Sequence, residues 1–115
     1  MIVSHINDLA GIPVQGAEVK SAWKKVLVSP KEGWEGWTMR LFTLEAGGFT
    51  PRHTHPWPHI NYIAEGSGTL YLDGQEYEIT EGSFAYVPGG KLHQFSNNSE
   101  ETLSFICIVP EEGDK

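Results

Sequence analysis

The chain has 115 residues, a formal net charge of −7 and one cysteine, Cys107. That length holds one core, so residues 1–115 are expected to form a single domain, and a lone thiol excludes an intrachain disulfide. The few lysines and arginines are scattered and make no stripe that would track a phosphate backbone, which speaks against nucleic acid as a partner. No stretch has the length and apolarity of a membrane helix, and the N-terminus lacks the basic-then-apolar pattern of a signal peptide, so the expected location is the cytoplasm with no membrane partner.

Thirteen glycines and seven prolines punctuate the chain at short intervals. No segment sustains the 3.6-residue apolar period of a helix. Residues 2–6 read as an edge strand and residues 12–16 as a loop. Runs of β-branched, aromatic and aliphatic residues then predict strands over 24–28, 37–44, 60–64, 68–72, 76–79, 83–87, 93–96 and 102–109, with a turn-rich connection over 29–36. Asp73-Gly74 is a two-residue hairpin signal, because a type I′ turn needs positive φ at both central positions. Gly47-Gly48 and Glu81-Gly82 read as further turns. About eight short strands with regular turns imply an all-β sandwich or barrel. Phe49, Tyr62 and Tyr86 are assigned to its core.

Four of the five histidines fall in two short segments. In the first, Gly47 to His59, a strand conformation would project His53 and His55 from one face. Pro56 and Pro58 stop the ladder, and His59 follows at the start of the next strand. In the second, a strand climbs to a Pro88-Gly89-Gly90 turn and His93 opens the strand after it. Imidazole clusters of this kind suit divalent transition metals. His5 lies outside both segments and reads as a surface residue.

Two spacings carry a family resemblance. Gly47, His53, His55, His59 and Gly66 follow the first cupin motif (glycine, His-x-His, glutamate, glycine), with histidine at the glutamate position. Gly82, Pro88, Gly90, His93 and Asn97 follow the second motif without a gap, a match whose chance occurrence is about 10⁻⁵ at ordinary residue frequencies. The chain resembles the small single-domain metal cupins with four-histidine sites, some of them manganese proteins. The resemblance implies a jelly-roll (double-stranded β-helix) barrel and one divalent ion held by His53, His55, His59 and His93. Manganese is the first expectation, with iron, nickel, copper or zinc as alternatives, and a homodimer is expected from the same likeness. Four neutral imidazoles would leave the ion its full double charge, making it a stronger Lewis acid than a site with a glutamate.

Around these ligands, Trp57 stands between two prolines where it would wall the pocket or pack at the rim. Phe95 shares the face of His93. Cys107 lies on the Leu103, Phe105, Cys107, Val109 side of the last strand, and parity does not say whether that side is the barrel interior. No acid–base carboxylate pair and no nucleophile beside a free histidine is visible, so no catalytic side chain is assigned. The leading functional expectation is a small metal-dependent oxidoreductase, dioxygenase-like, acting on a small organic molecule. The alternatives are a non-catalytic module that binds or senses a small molecule, and a Lewis-acid isomerase or lyase.

Overall fold

The structure, a computed structural model, describes residues 1–114, which form nine strands, three short 3₁₀ turns and the loops between them. The strands are β1 (Ile12–Pro13), β2 (Lys20–Val28), β3 (Trp37–Phe49), β4 (His59–Glu65), β5 (Ser67–Leu72), β6 (Gln75–Thr80), β7 (Phe84–Val87), β8 (His93–Ser96) and β9 (Leu103–Pro110). All pair antiparallel in one sheet with the path β6-β5-β8-β3-β9-β4-β7, and β2, carrying β1, also lies along β3. The expected all-β barrel is what the chain forms. Among the described residues no helix is long and apolar enough to cross a membrane.

The long strand β3 makes the barrel. Its first part, Trp37 to Leu44, pairs with β9, and its last residue, Phe49, pairs with Ser96 of β8. One strand therefore feeds two half-sheets, β9-β4-β7 and β8-β5-β6, which fold face to face. Phe95 of β8 and Phe105 of β9 stack across the gap with ring centroids 4.1 Å apart. Leu44, Ile63, Leu70 and Leu103 fill the rest of this core, and each such buried side chain contributes about 1.5–3 kcal/mol.

Several expectations change. Residues 2–6 form no strand; the chain there is irregular up to a 3₁₀ turn at Ile6–Asp8, with the Nδ1 of exposed His5 accepting from Asn7 N–H. The first strand lies instead at Ile12–Pro13, inside the predicted loop, where it pairs with Lys24 and Trp23 of β2. Gly47-Gly48 is not a turn but part of β3. A Cβ at Gly48 would meet the Ser21 carbonyl oxygen at 2.7 Å, so glycine is needed there for close approach of two backbones. Tyr62 and Tyr86 are exposed, on the outer face of β4 and β7. The hairpin at Asp73-Gly74 is as expected, with φ of 50° and 90°.

Candidate metal centre

Four of the five histidines, His53, His55, His59 and His93, gather in one cluster. His53 and His55 do not sit on a strand together, as the His-x-His spacing had suggested. Pro51, Pro56 and Pro58 deny the segment its ladder. Only His53 bridges, exchanging both backbone hydrogen bonds with His93 (3.1 Å each way). His55 is tied to the second motif by another route, its carbonyl accepting from Gly90 N–H at 2.8 Å. Gly89 packs so closely on Pro56 that a Cβ there would lie 2.2 Å from the Pro56 carbonyl oxygen. The Pro88-Gly89-Gly90 turn thus clamps the two segments together. His59 and His93, the first residues of β4 and β8, are buried, His55 is half-buried and His53 is exposed.

Side-chain atoms of His53, His55 and His93 that could bind a metal all lie within 4.8 Å of one another. His59 adjoins this trio through its Nε2, 3.2 Å from the Nε2 of His93. Three rings have their Nδ1 turned to an oxygen: His55 to the Trp57 carbonyl at 2.7 Å, His93 to the Lys91 carbonyl at 2.9 Å, and His59 to Asn61 Oδ1 at 2.6 Å. Asn61 is oriented by its own amide, which donates to the Ile106 carbonyl at 3.4 Å. An oxygen acceptor requires the proton on Nδ1, which leaves the Nε2 lone pairs free. The short contact between His59 and His93 is then no hydrogen bond, because neither neutral ring offers a proton there. Two nitrogens bonded to one ion at about 2.1 Å sit about 3.0 Å apart at a right angle and about 3.4 Å at a tetrahedral angle. The observed spacing fits a shared cation between them.

Electrostatics agree. Burial, reinforced by the neighbouring His93, brings His59 down to about 3, and burial lowers His93 to about 4. His53, whose residue is exposed but whose ring is partly desolvated by its neighbours, is lowered too, by that desolvation first and then by His55 and Arg40. These rings are neutral at pH 7, the state a metal ligand needs.

Beside the histidines opens a cavity of about 700 Å³. Trp57, Phe95 and Cys107 all line it. Trp57 walls it by stacking on His55, with centroids 4.9 Å apart and planes 9° apart. The β9 side that carries Cys107 is the barrel interior, and Cys107 is 2% exposed. Its thiol is pushed up by burial and partly drawn back by Arg40, whose Nη2 donates to Sγ at 3.1 Å.

The cupin-domain family model matches residues 40–109. The chain is a cupin.

Among its relatives is the 1-methylthio-D-xylulose 5-phosphate methylsulfurylase of Rhodospirillum rubrum, 29% identical over 109 residues, covering 94% of this cupin and 69% of the relative. Quercetin 2,3-dioxygenase of Bacillus subtilis is 35% identical over 49 residues, 43% of this cupin and 14% of the relative. This cupin thus spans between 14% and 69% of the length of these two curated relatives. Among solved structures, the polyketide cyclase RemF from Streptomyces resistomycificus superimposes with a TM-score of 0.91 at 27% identity, covering 96% of this cupin and 80% of RemF.

Sequence reasoning missed three groups in the cupin pocket. Asn61 holds His59, and the His59-x-Asn61 alternation on one strand face was the available signal. Arg40 and Lys24 point into the barrel from β3 and β2 and line the cavity, a placement that only the register of β2 on β3 reveals. Asn97 of the second motif is no ligand candidate. Its amide donates to the Leu44 and Glu101 carbonyls at 2.9 and 2.7 Å, locking the turn after β8.

Proposed function

We propose that this cupin holds one divalent transition-metal ion on His53, His55, His59 and His93 and uses it on a small organic substrate, with dioxygenase-like oxidation as the leading reading. The observation that carries the reading is the pairing of Nδ1-pinned rings with free Nε2 atoms, 3.2 Å apart at His59 and His93, at the wall of an aromatic-lined cavity. An ion bound there supplies Lewis acidity and, where the metal is redox-active, electron exchange with dioxygen. The chain's own groups do the rest. The Trp57 and Lys91 carbonyls and Asn61 hold the rings in one tautomer, and Phe42, Phe95 and Phe105 keep the cavity floor apolar. Manganese comes first, from the resemblance to four-histidine cupins, followed by iron, nickel, copper and zinc.

The partial likeness to a quercetin dioxygenase supports oxidation of a phenolic substrate. The likeness to the polyketide cyclase RemF, over nearly the whole chain, supports a second reading: Lewis-acid chemistry on a conjugated oxygen-rich molecule without oxygen uptake. Metal analysis of untagged protein, followed by oxygen-electrode and product assays with flavonols, diketones and alkenes on Mn-, Fe-, Ni- and Cu-loaded protein, separates the two. Oxygen uptake with product supports the first, and product formed anaerobically supports the second. Protein that takes up no divalent ion, or loaded forms that convert nothing in air or under nitrogen, overturns the enzyme proposal.

The homodimer is proposed as well. Its physical support is not an N-terminal edge strand but an apolar outer face, where the cross-strand pairs Ile60–Tyr86 and Tyr62–Phe84 are exposed side by side. A monomer mass in sedimentation at micromolar concentration ends that idea.

A further inference from the structure

The metal cavity carries two cationic side chains besides the histidines. Arg40 of β3 and Lys24 of β2 both line it, and among the described residues no carboxylate does. The register of β2 on β3 sets Lys24 opposite Phe42 and Val26 opposite Arg40, so the two cations stand on neighbouring strands on the inner face. Arg40 is 12% exposed in its side chain and sits over the Phe42 ring, Cζ to centroid 4.8 Å.

A guanidinium buried to that degree normally carries a full set of acceptors. Arg40 has a poor one. Its Nη1 reaches Asp114 Oδ1 at 3.5 Å and the Gly113 carbonyl at 3.4 Å, its Nη2 meets the Cys107 sulfur at 3.1 Å, and its Nε has no partner among the described residues. Asp114 is not Arg40's alone, because Lys24 Nζ holds the same Oδ1 at 3.2 Å. Among the described residues these two cations share one carboxylate, which leaves one positive charge in surplus in a partly desolvated cavity.

We propose that Arg40 and Lys24 form an anion subsite that holds the carboxylate of a small aromatic or conjugated acid, with its ring against Phe42 and Phe105. The single surplus charge matches a carboxylate better than a doubly charged phosphate ester, and the aromatic wall selects a flat apolar body. The subsite rests on the metal reading only in sharing its cavity with the histidines.

Benzoate, phenyl phosphate and neutral benzamide serve as probes, titrated by calorimetry into metal-free and zinc-loaded protein. Benzoate is expected to bind both forms, and Arg40→Met to weaken it about ten- to a hundred-fold, the worth of a hydrogen bond to a charged group. Benzamide affinity should be unmoved, and Arg40→Lys should recover part of the benzoate loss. Asp114→Asn removes the competing carboxylate and should tighten benzoate several-fold, which a purely structural role for the Arg40–Asp114–Lys24 cluster does not produce. The subsite is overturned if folded Arg40→Met binds benzoate as well as the unaltered chain, if Asp114→Asn binds it no more tightly, or if benzoate binds only the zinc-loaded form. Tenfold tighter binding of phenyl phosphate overturns the carboxylate assignment. Arg40-dependent benzoate binding by a chain that takes up no zinc keeps the subsite and sinks the metal reading, so the two failures are distinct.

Discussion

The Nε2 atoms of His59 and His93 face each other at 3.2 Å, and each ring has already directed its Nδ1 to an oxygen. Without a cation between them, two lone pairs oppose each other in a buried site. His59→Ala should therefore lower divalent-ion affinity by about a hundred- to a thousand-fold, roughly one ligand's share of a structural-site binding energy of about 10–16 kcal/mol. Competition against a chromogenic chelator measures this. His5→Ala, far from both motifs, should leave the affinity unchanged.

Asn61 is 1% exposed and accepts from His59 Nδ1 at 2.6 Å. Asn61→Leu removes the acceptor that fixes the ring, and metal affinity should fall about 10- to 100-fold. Asn61→Asp keeps an oxygen at the same place and should restore most of the loss. Equal affinity in all three proteins would show that His59 needs no such support.

Gly89 has no room for a side chain, since a Cβ would stand 2.2 Å from the Pro56 carbonyl oxygen. Gly89→Ala must push the turn away from the His55 segment. A destabilisation of about 1–3 kcal/mol in urea unfolding is expected, with weakened metal uptake. Gly74→Ala is the comparison. It lies at φ 90° with open space around it, so it should cost stability through backbone strain and leave metal affinity intact.

Burial sets the pH response of the metal-free chain. His59 and His93 are held down to about 3 and about 4 in the fold, whereas unfolded histidines titrate near 6.5. Between those values the unfolded chain binds more protons than the folded one, so acid favours unfolding. The thermal midpoint of chelator-stripped protein should be flat above pH 7, fall as pH drops below about 6.5, and level off only near pH 3. A midpoint unchanged from pH 7 to 4 would contradict the buried, neutral state of the two rings.

The sequence told most where a residue's role was local. The positive-φ pair Asp73-Gly74 announced its hairpin because the turn type depends on those two residues alone. The histidine and glycine spacings anticipated the cluster of rings because each motif runs through one strand, one turn and the next strand. It told least where distant segments decide. Gly48 is glycine because β2 passes close by, which no local pattern shows. On β4, His59 and Asn61 face inward and Ile60 and Tyr62 outward, the reverse of the rule that apolar residues seek the interior. That inversion hid both Asn61 and the outer apolar face, because the inner row serves the site there. Lys24 and Arg40 were two among scattered cations, and only the register of β2 on β3 places them on the inner side.

His53 and His93 trade both of their backbone hydrogen bonds. The main chains of two metal-binding candidates are thus stitched into the barrel wall, and the backbone positions from which their rings extend cannot separate without unzipping that wall. If the rings take an ion as proposed, that framework would favour ions of one radius and release a bound one slowly.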